Sequence, residues 1–285
     1  MVLMKGVSKA YNGKTVLHDT TISVKKGQLT SLIGPNGAGK STLLSIMSRL
    51  IQPDSGAAYL EDKPYSAYPP QELAKKMSIL KQANHMNVRL TVRELVSFGR
   101  FPYSQGHLTK EDEKMIDVSL QYMKLADIQH QYVEELSGGQ RKRAFIAMVL
   151  AQDTDYIFLD EPLNNLDMNH SVEMMKLFQQ LVKDLGKTIV VVLHDINFAS
   201  VYSDHIVALK DGQVIKEGGV DDVIQTEALE QIYDMRIPIE VIRGERICLF
   251  FLKNEEVITY EKMDLDDDYI NSNRGTRCLR EPRKN

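Results

Sequence analysis

The stretch Gly34-Pro35-Asn36-Gly37-Ala38-Gly39-Lys40-Ser41-Thr42 decides the reading of this chain. Its first eight residues fit the pattern G-x-x-x-x-G-K-[ST]. Residues 28–33 before it read as a short alternating strand, and after it Leu43, Leu44, Met47 and Leu50 recur at helical spacing. A glycine-rich loop between strand and helix lets backbone N–H groups and the positive helix end converge on phosphates. In that setting Lys40 would hold β- and γ-phosphates and Ser41 a Mg²⁺ ion.

Working outward, 2–9 and 15–25 alternate and are broken by Tyr11-Asn12-Gly13 and Lys26-Gly27, which predicts strands joined by tight turns. Downstream, Tyr68-Pro69-Pro70 breaks the chain. Helical patterns then run over 91–98, 109–124 and 138–152, with a loop around Phe101-Pro102-Tyr103. This predicts a helical subdomain over about 84–150, inserted into an α/β core. The apolar runs 156–159 and 188–193 suit buried parallel strands. Asp211-Gly212, between 206–209 and 213–217, predicts a hairpin turn. From 253 onward the chain turns to Asp264, Asp266, Asp267 and Asp268, then Arg274, Arg277, Arg280, Arg283 and Lys284, the make-up of a disordered extension over 253–285.

Composition removes several function classes. A chain of 285 residues with 43% hydrophobic and 26% charged content has the balance of a soluble protein with a core. Lys and Arg number 35 against 39 Asp and Glu, and no basic stripe with interleaved aromatics appears, so a nucleic-acid surface is not expected. Cys248 and Cys278 are too few for a disulfide framework and are not spaced as metal ligands, which fits a reducing compartment. The opening residues lack a basic segment followed by an apolar core, and no apolar run approaches the ~18 residues of a membrane span. The expectation is a chain neither secreted nor integral to a membrane, reaching one only through a partner.

Two further motifs carry chemistry. Asp160-Glu161 ends the apolar run 156–159, an arrangement that delivers a metal-facing Asp and a water-activating Glu to a phosphate. Leu136-Ser137-Gly138-Gly139-Gln140 precedes the periodic residues Ala144, Ile146, Ala147 and Leu150, so it forms a second glycine-softened helix N-terminus bearing a hydroxyl. Ser137 suits an ordinary N-cap as well. One chain cannot easily aim both ends at a single γ-phosphate when each opens a separate subdomain. That points to a site shared between two copies.

These residues together resemble the ATP-binding subunits of ABC transporters, and the resemblance spans residues 1–252. Residues 34–41 match that family's Walker A, 136–140 its signature sequence, and 157–161 its Walker B with the catalytic glutamate. The implied fold class is α/β: a P-loop NTPase ABC cassette, a RecA-like core with an antiparallel β subdomain and an inserted α-helical subdomain. The implied cofactors are ATP and Mg²⁺. By the same resemblance Tyr11 stacks on adenine, and Gln82 touches Mg²⁺ and senses the membrane partner. His194 contacts the γ-phosphate and supports the water held by Glu161, and Asp167 falls in the D-loop. Asn164 and Asn165 depart from the Ser-Ala that many relatives carry. Lys142 stands where Gln is frequent, and either adds a charge near the partner phosphate site or faces solvent.

A finer likeness bears on the work driven. Gly99-Arg100-Phe101-Pro102 is similar to a Gly-Arg-x-Pro segment of importers of ferric siderophores, haem and cobalamin. Residues 144–155 and 164–167 most resemble iron-siderophore ATPases of Bacillus-type bacteria, the ferric petrobactin importers in particular. The implied partners are integral membrane permease subunits and a second copy in an ATP-dependent head-to-tail dimer. An extracellular siderophore-binding protein would be met only through the permease, and no nucleic acid is expected. The implied location is the cytoplasmic face of the cell membrane. Coupling is expected through the Gln82 loop and residues 84–107, with Phe98, Phe101 and Tyr103 either docking there or filling the subdomain core. A single-cassette soluble ABC ATPase acting without a permease is the alternative, and segment 99–102 weighs against it. A GTP-binding switch is not supported: Thr109-Lys110-Glu111-Asp112 fits T-K-x-D, yet no Asp is followed three residues later by Gly. Thr109 reads instead as an N-cap with Asp112 reaching back.

Overall fold

Asn12 and Gly13 both take positive φ, 50° and 80°, the backbone a two-residue hairpin turn demands. They join β1 (Val2–Tyr11) to β2 (Lys14–Val24). After β3 (Leu29–Ile33) and α1 (Lys40–Met47), the chain returns as β4 (Ser55–Leu60) and β5 (Lys63–Pro64). The result is an antiparallel four-stranded sheet ordered β2-β1-β4-β5. This computed structural model describes residues 1–82 and 88–251. Met1–Phe250 forms one unit and Phe251–Asn285 another; the expected extension 253–285, with Cys278, lies outside the described residues, as does 83–87 at the start of the expected insertion.

Pro70 opens α2 (Pro70–Ala74) at a first-turn position where its missing N–H costs nothing. β6 (Met77–Leu80) follows. The inserted helices are α3 (Val92–Ser97), α4 (Phe101–Ser104), α5 (Lys110–Tyr122) and α6 (Gly138–Ala151). The loop expected around Phe101-Pro102-Tyr103 is thus helical, because Pro102 falls in the first turn of α4, where proline is tolerated. Thr109 caps α5 as its spacing predicts: its side chain accepts from Asp112 N, and the Asp112 carboxylate accepts from Thr109 N at 2.9 Å.

The remaining elements are β7 (Tyr156–Leu159), α7 (Met168–Leu185), β8 (Thr188–Val192), α8 (Ile196–Tyr202), β9 (His205–Lys210) and β10 (Gln213–Gly218). Short helices α9 (Val220–Val223) and α10 (Thr226–Tyr233) precede a hairpin of β11 (Ile239–Ile242) and β12 (Glu245–Cys248). The central sheet has six strands in the order β10-β9-β3-β8-β7-β6. All its pairings are parallel except β9 with β10, whose turn at Asp211-Gly212 has φ of 48° and 75°.

The inner strands β3, β7 and β8 are buried at every position, on both faces of the sheet, so they lack the polar alternation of a strand with one solvated face. Tyr156 and Phe158 pack with α1 and the antiparallel sheet, whereas Ile157 and Leu159 pack with α6, α7 and the inserted helices. Inside the insertion, Gly99 is placed by close approach: a Cβ there would stand 2.1 Å from the Met148 carbonyl oxygen of α6. Its neighbour Arg100 is buried and donates to Asp112 Oδ1 and to the Ala151 carbonyl, each at 2.8 Å. Segment 99–102 therefore locks α3, α5 and α6 together. At the far end of α6, the Gln152 amide donates to the carbonyls of Ala74 at 2.6 Å and Met77 at 3.2 Å, at the foot of β6.

Candidate functional site

Four neighbouring parallel strands end level with one another. Leu80 pairs with Leu159, Leu159 with Val191, and Ser31 with Val191. The residues leaving their carboxyl ends are Gln82 after β6, Asp160 and Glu161 after β7, His194 after β8, and the loop from Gly34 after β3. Carboxyl ends of an open parallel sheet are where such folds bind ligands.

The phosphate loop is shaped by its glycines. Gly34 has φ of 138° and lies so close to β9 that an added Cβ would be 2.0 Å from the Leu209 carbonyl oxygen. Gly37, Ala38, Gly39, Lys40, Ser41 and Thr42 line a cavity of about 180 Å³ together with Glu161 and His194. Asn36 lines it too, as does Val16 of β2, which carries no motif signal. Pro35 contributes its carbonyl: Lys40 Nζ donates to the carbonyl oxygens of Gly34 and Pro35, each at 2.8 Å. Burial pulls the Lys40 ammonium below its usual range, opposed by the charges of Glu161 and Asp160.

Ser41 Oγ donates to Asp160 Oδ1 at 2.8 Å, so the two groups expected at the metal are already side by side. Burial pushes the Asp160 carboxyl upward, and the Ser41 hydroxyl partly offsets that. Glu161 is buried at 9% exposure and held by three side chains. His194 Nε2 lies 2.7 Å from its Oε1, while the amides of Gln82 and Asn164 both donate to Oε2. The structure thus brings Lys40, Ser41, Gln82, Asp160, Glu161 and His194 together.

Other expected residues sit elsewhere. Tyr11 ends β1 exposed, with Lys9 Nζ 5.7 Å from its ring centroid, and does not line the cavity. Ser137, Gly138, Gly139 and Gln140 are not in its lining either. Ser137 caps α6, its N–H donating to the Gln140 carboxamide oxygen at 3.0 Å, and Gly139 lines a separate groove of about 220 Å³ with Arg143 and His170. Asp167 caps α7, accepting from His170 N at 2.9 Å, and this bond with the His170 ring holds its carboxyl below the usual range. Two of the three departures take on definite places. Asn164 reaches Glu161, and Lys142 is half-buried, its ammonium lowered by burial and raised by the charge of Glu161, rather than turned to open solvent. An Asn three residues beyond a turn carboxylate is the signal that could have disclosed the first of these.

Phe98 and Phe101 are 49% and 59% exposed, so they are surface residues of the insertion and not its core. No helix among the described residues is long and apolar enough to cross a membrane.

Comparison with known proteins agrees with this fold. The ABC transporter family model matches residues 17–164. The chain is 65% identical over 251 residues to the petrobactin import ATP-binding protein YclP of Bacillus subtilis (strain 168), covering 88% of this chain and 100% of that protein. It is 48% identical over 244 residues to the petrobactin import ATP-binding protein FatE of Bacillus anthracis, covering 86% and 97%. A solved dimeric bacterial ABC transporter cassette, MJ0796, matches with a TM-score of 0.69 at 33% identity, over 77% of this chain and 99% of that one.

Proposed function

The chain belongs to the ABC transporter family, and from that premise we propose that it is the ATP-hydrolysing subunit of an importer of ferric siderophores, with ferric petrobactin as the cargo. The observation that carries the reading is the likeness to YclP, which extends over that protein's whole length. The site supplies the chemistry. Lys40, cradled by the loop carbonyls, is the cation placed at the β- and γ-phosphates. Glu161 orients the attacking water and takes its proton, and His194 supports that arrangement at Oε1.

The residues fit a magnesium ion. Asp160 is a carboxylate pushed upward by burial, a state that a neighbouring cation relieves, and its Oδ1 already meets the Ser41 hydroxyl. Among the described residues no cluster of three His, Cys, Asp or Glu ligands exists, so Ser41, Asp160 and Gln82 would share the ion with phosphate oxygens and water. Bound there, Mg²⁺ neutralises charge on the phosphates.

Two copies closing head to tail would complete the site, since the phosphate cavity and the Ser137–Gln140 helix end lie in different places on one chain. Asp167, beside the turn that follows Glu161, and Tyr11, at the hairpin that also carries Val16, belong to the same nucleotide-holding surface. The permease would dock on the insertion, where Phe98 and Phe101 are exposed near Tyr103. The chain then works at the cytoplasmic face of the membrane.

Affinity purification of the Glu161→Gln protein from native membranes with ATP tests this. Recovery of a multi-span permease whose gene responds to iron limitation supports the importer. Recovery of soluble partners alone overturns it in favour of a cassette working without a permease.

A further inference from the structure

Two of the three positions at which this chain departs from the common family pattern, Asn164 and Lys142, both interact with one carboxylate. The Asn164 side-chain amide donates to Glu161 Oε2, and the Glu161 charge acts on the half-buried Lys142 ammonium. A carboxylate has two oxygens and roughly four lone-pair directions, so which oxygen faces which neighbour depends on where its donors stand. Here the division is sharp: Oε1 faces His194 Nε2 at 2.7 Å, while Oε2 receives the amides of both Gln82 and Asn164. Two donors on one oxygen fix the carboxylate's rotation, and that rotation leaves the other oxygen directed to the His194 side.

The two amides are not equivalent. Gln82 reaches Glu161 from a different strand end, 79 residues away in sequence. Asn164 sits in the same turn, and its own backbone N–H donates to the Glu161 carbonyl at 3.3 Å. That turn places Glu161 at φ of 51°, in the left-handed region that a Glu rarely occupies. Asn164 therefore travels with Glu161 whatever the Gln82 segment does.

We propose that Asn164 is a positioning residue for ATP hydrolysis: its side-chain amide holds Glu161 Oε2 so that Oε1 keeps the orientation in which it meets the attacking water beside His194. This rests on the assignment of Glu161 as the general base. Asn164 itself does not line the phosphate cavity. The contribution is one of pre-orientation, which affects turnover and not nucleotide affinity.

A plain turn residue makes a different forecast. Asn and Asp serve a turn equally well, and Ala serves it worse. A positioning amide gives the order Asn, then Ala, then Asp, because an Asp carboxylate would repel Glu161 where the amide attracts it. The test is steady-state ATP hydrolysis by the full-length protein with Asn164→Ala and Asn164→Asp, alone and in the Glu161→Gln background. We expect Asn164→Ala to lower kcat about tenfold, equivalent to ~1.4 kcal/mol, with KM for ATP changed by less than about twofold, the pattern of an interaction that acts in turnover alone. Asn164→Asp should lower kcat further. In the Glu161→Gln background, Asn164→Ala should produce no additional loss, since the group it positions is already gone.

Hydrolysis by Asn164→Asp at the wild-type rate would overturn the proposal, and so would a KM effect without a kcat effect. A full additional loss in the Glu161→Gln background would overturn it too. Failure of the underlying assignment looks different: Glu161→Gln alone would then turn over at the wild-type rate.

Discussion

His194 Nε2 stands 2.7 Å from Glu161 Oε1, closing a contact between the residues that leave β8 and β7. The contact exists because those strands are in-register parallel neighbours, Leu159 opposite Val191, so both chains emerge at the same height. Its chemistry follows from what surrounds it: Glu161 is nearly enclosed and also bound by two amides, which leaves it few orientations.

Replacing Glu161 by Gln keeps the shape and removes the charge. Hydrolysis should fall at least about a hundredfold, the scale of losing a positioned base, while ATP affinity stays within about twofold. The same protein should run as a dimer with ATP and Mg²⁺ in light scattering and as a monomer without them. Full turnover would remove Glu161 from the base role.

Lys40→Ala deletes the buried ammonium whose donors bind the Gly34 and Pro35 carbonyls. Losing charge-assisted hydrogen bonds to phosphates should cost about 3 kcal/mol, or more than a hundredfold in nucleotide affinity. Titration with a fluorescent ATP analogue measures it, and unchanged affinity would count against the phosphate-loop assignment.

The Arg100–Asp112 ion pair should be visible in acid stability. Burial pushes the Asp112 carboxyl upward, but the Thr109 hydrogen bonds and the Arg100 guanidinium outweigh it, so the group titrates below the usual carboxylate range. Its stabilisation is complete above the ordinary carboxylate pKa and is lost as pH falls through the depressed value in the folded chain. Asp112→Asn should cost about 3–5 kcal/mol at pH 7, because it leaves Arg100 buried and uncompensated. Its urea midpoint should begin to approach that of the parent as pH falls below the ordinary carboxylate pKa, and should meet it only below the depressed folded value, where both side chains are neutral.

Gly99→Ala places a methyl 2.1 Å from the Met148 carbonyl, a contact that neither backbone can relieve by a side-chain move. The expected loss is about 2–4 kcal/mol, in the upper range of single substitutions. Hydrogen exchange should find it in α3 and α6, with β7 and β8 still protected.

Much of the phosphate site is legible in the sequence because local signals place its parts: the Gly34–Ser41 loop between β3 and α1, Asp160-Glu161 at a strand end, His194 at another. The antiparallel sheet is less so. The turn between β4 and β5 is built from Glu61 and Asp62, with φ of 50° and 66°, and neither residue advertises a positive-φ turn as Gly does. The β11–β12 hairpin is short, and its Val241 is mostly exposed, so it lacks the alternation that marks a strand. The Gly99-Arg100-x-Pro102 segment is conspicuous as a pattern, yet whether it docks or packs depends on Asp112 and Ala151, which arrive from other elements. The Asn164 contact with Glu161 depends on a side-chain direction that spacing alone leaves open.

Helix α6 has Ser137 at one tip, while Gln152 ties the other to the foot of β6. At 1.5 Å per residue its 14 residues make a stiff arm about 21 Å long. A tilt of about 10° at the tethered end swings the Ser137 tip through about 4 Å, more than the length of a hydrogen bond. In the head-to-tail dimer proposed above, the same arm would work in reverse: a phosphate held by the second copy and met at the tip would pull with long leverage on the strand that leads to Gln82. In that dimer, grip at one nucleotide and readiness at the other would become two readings of a single angle.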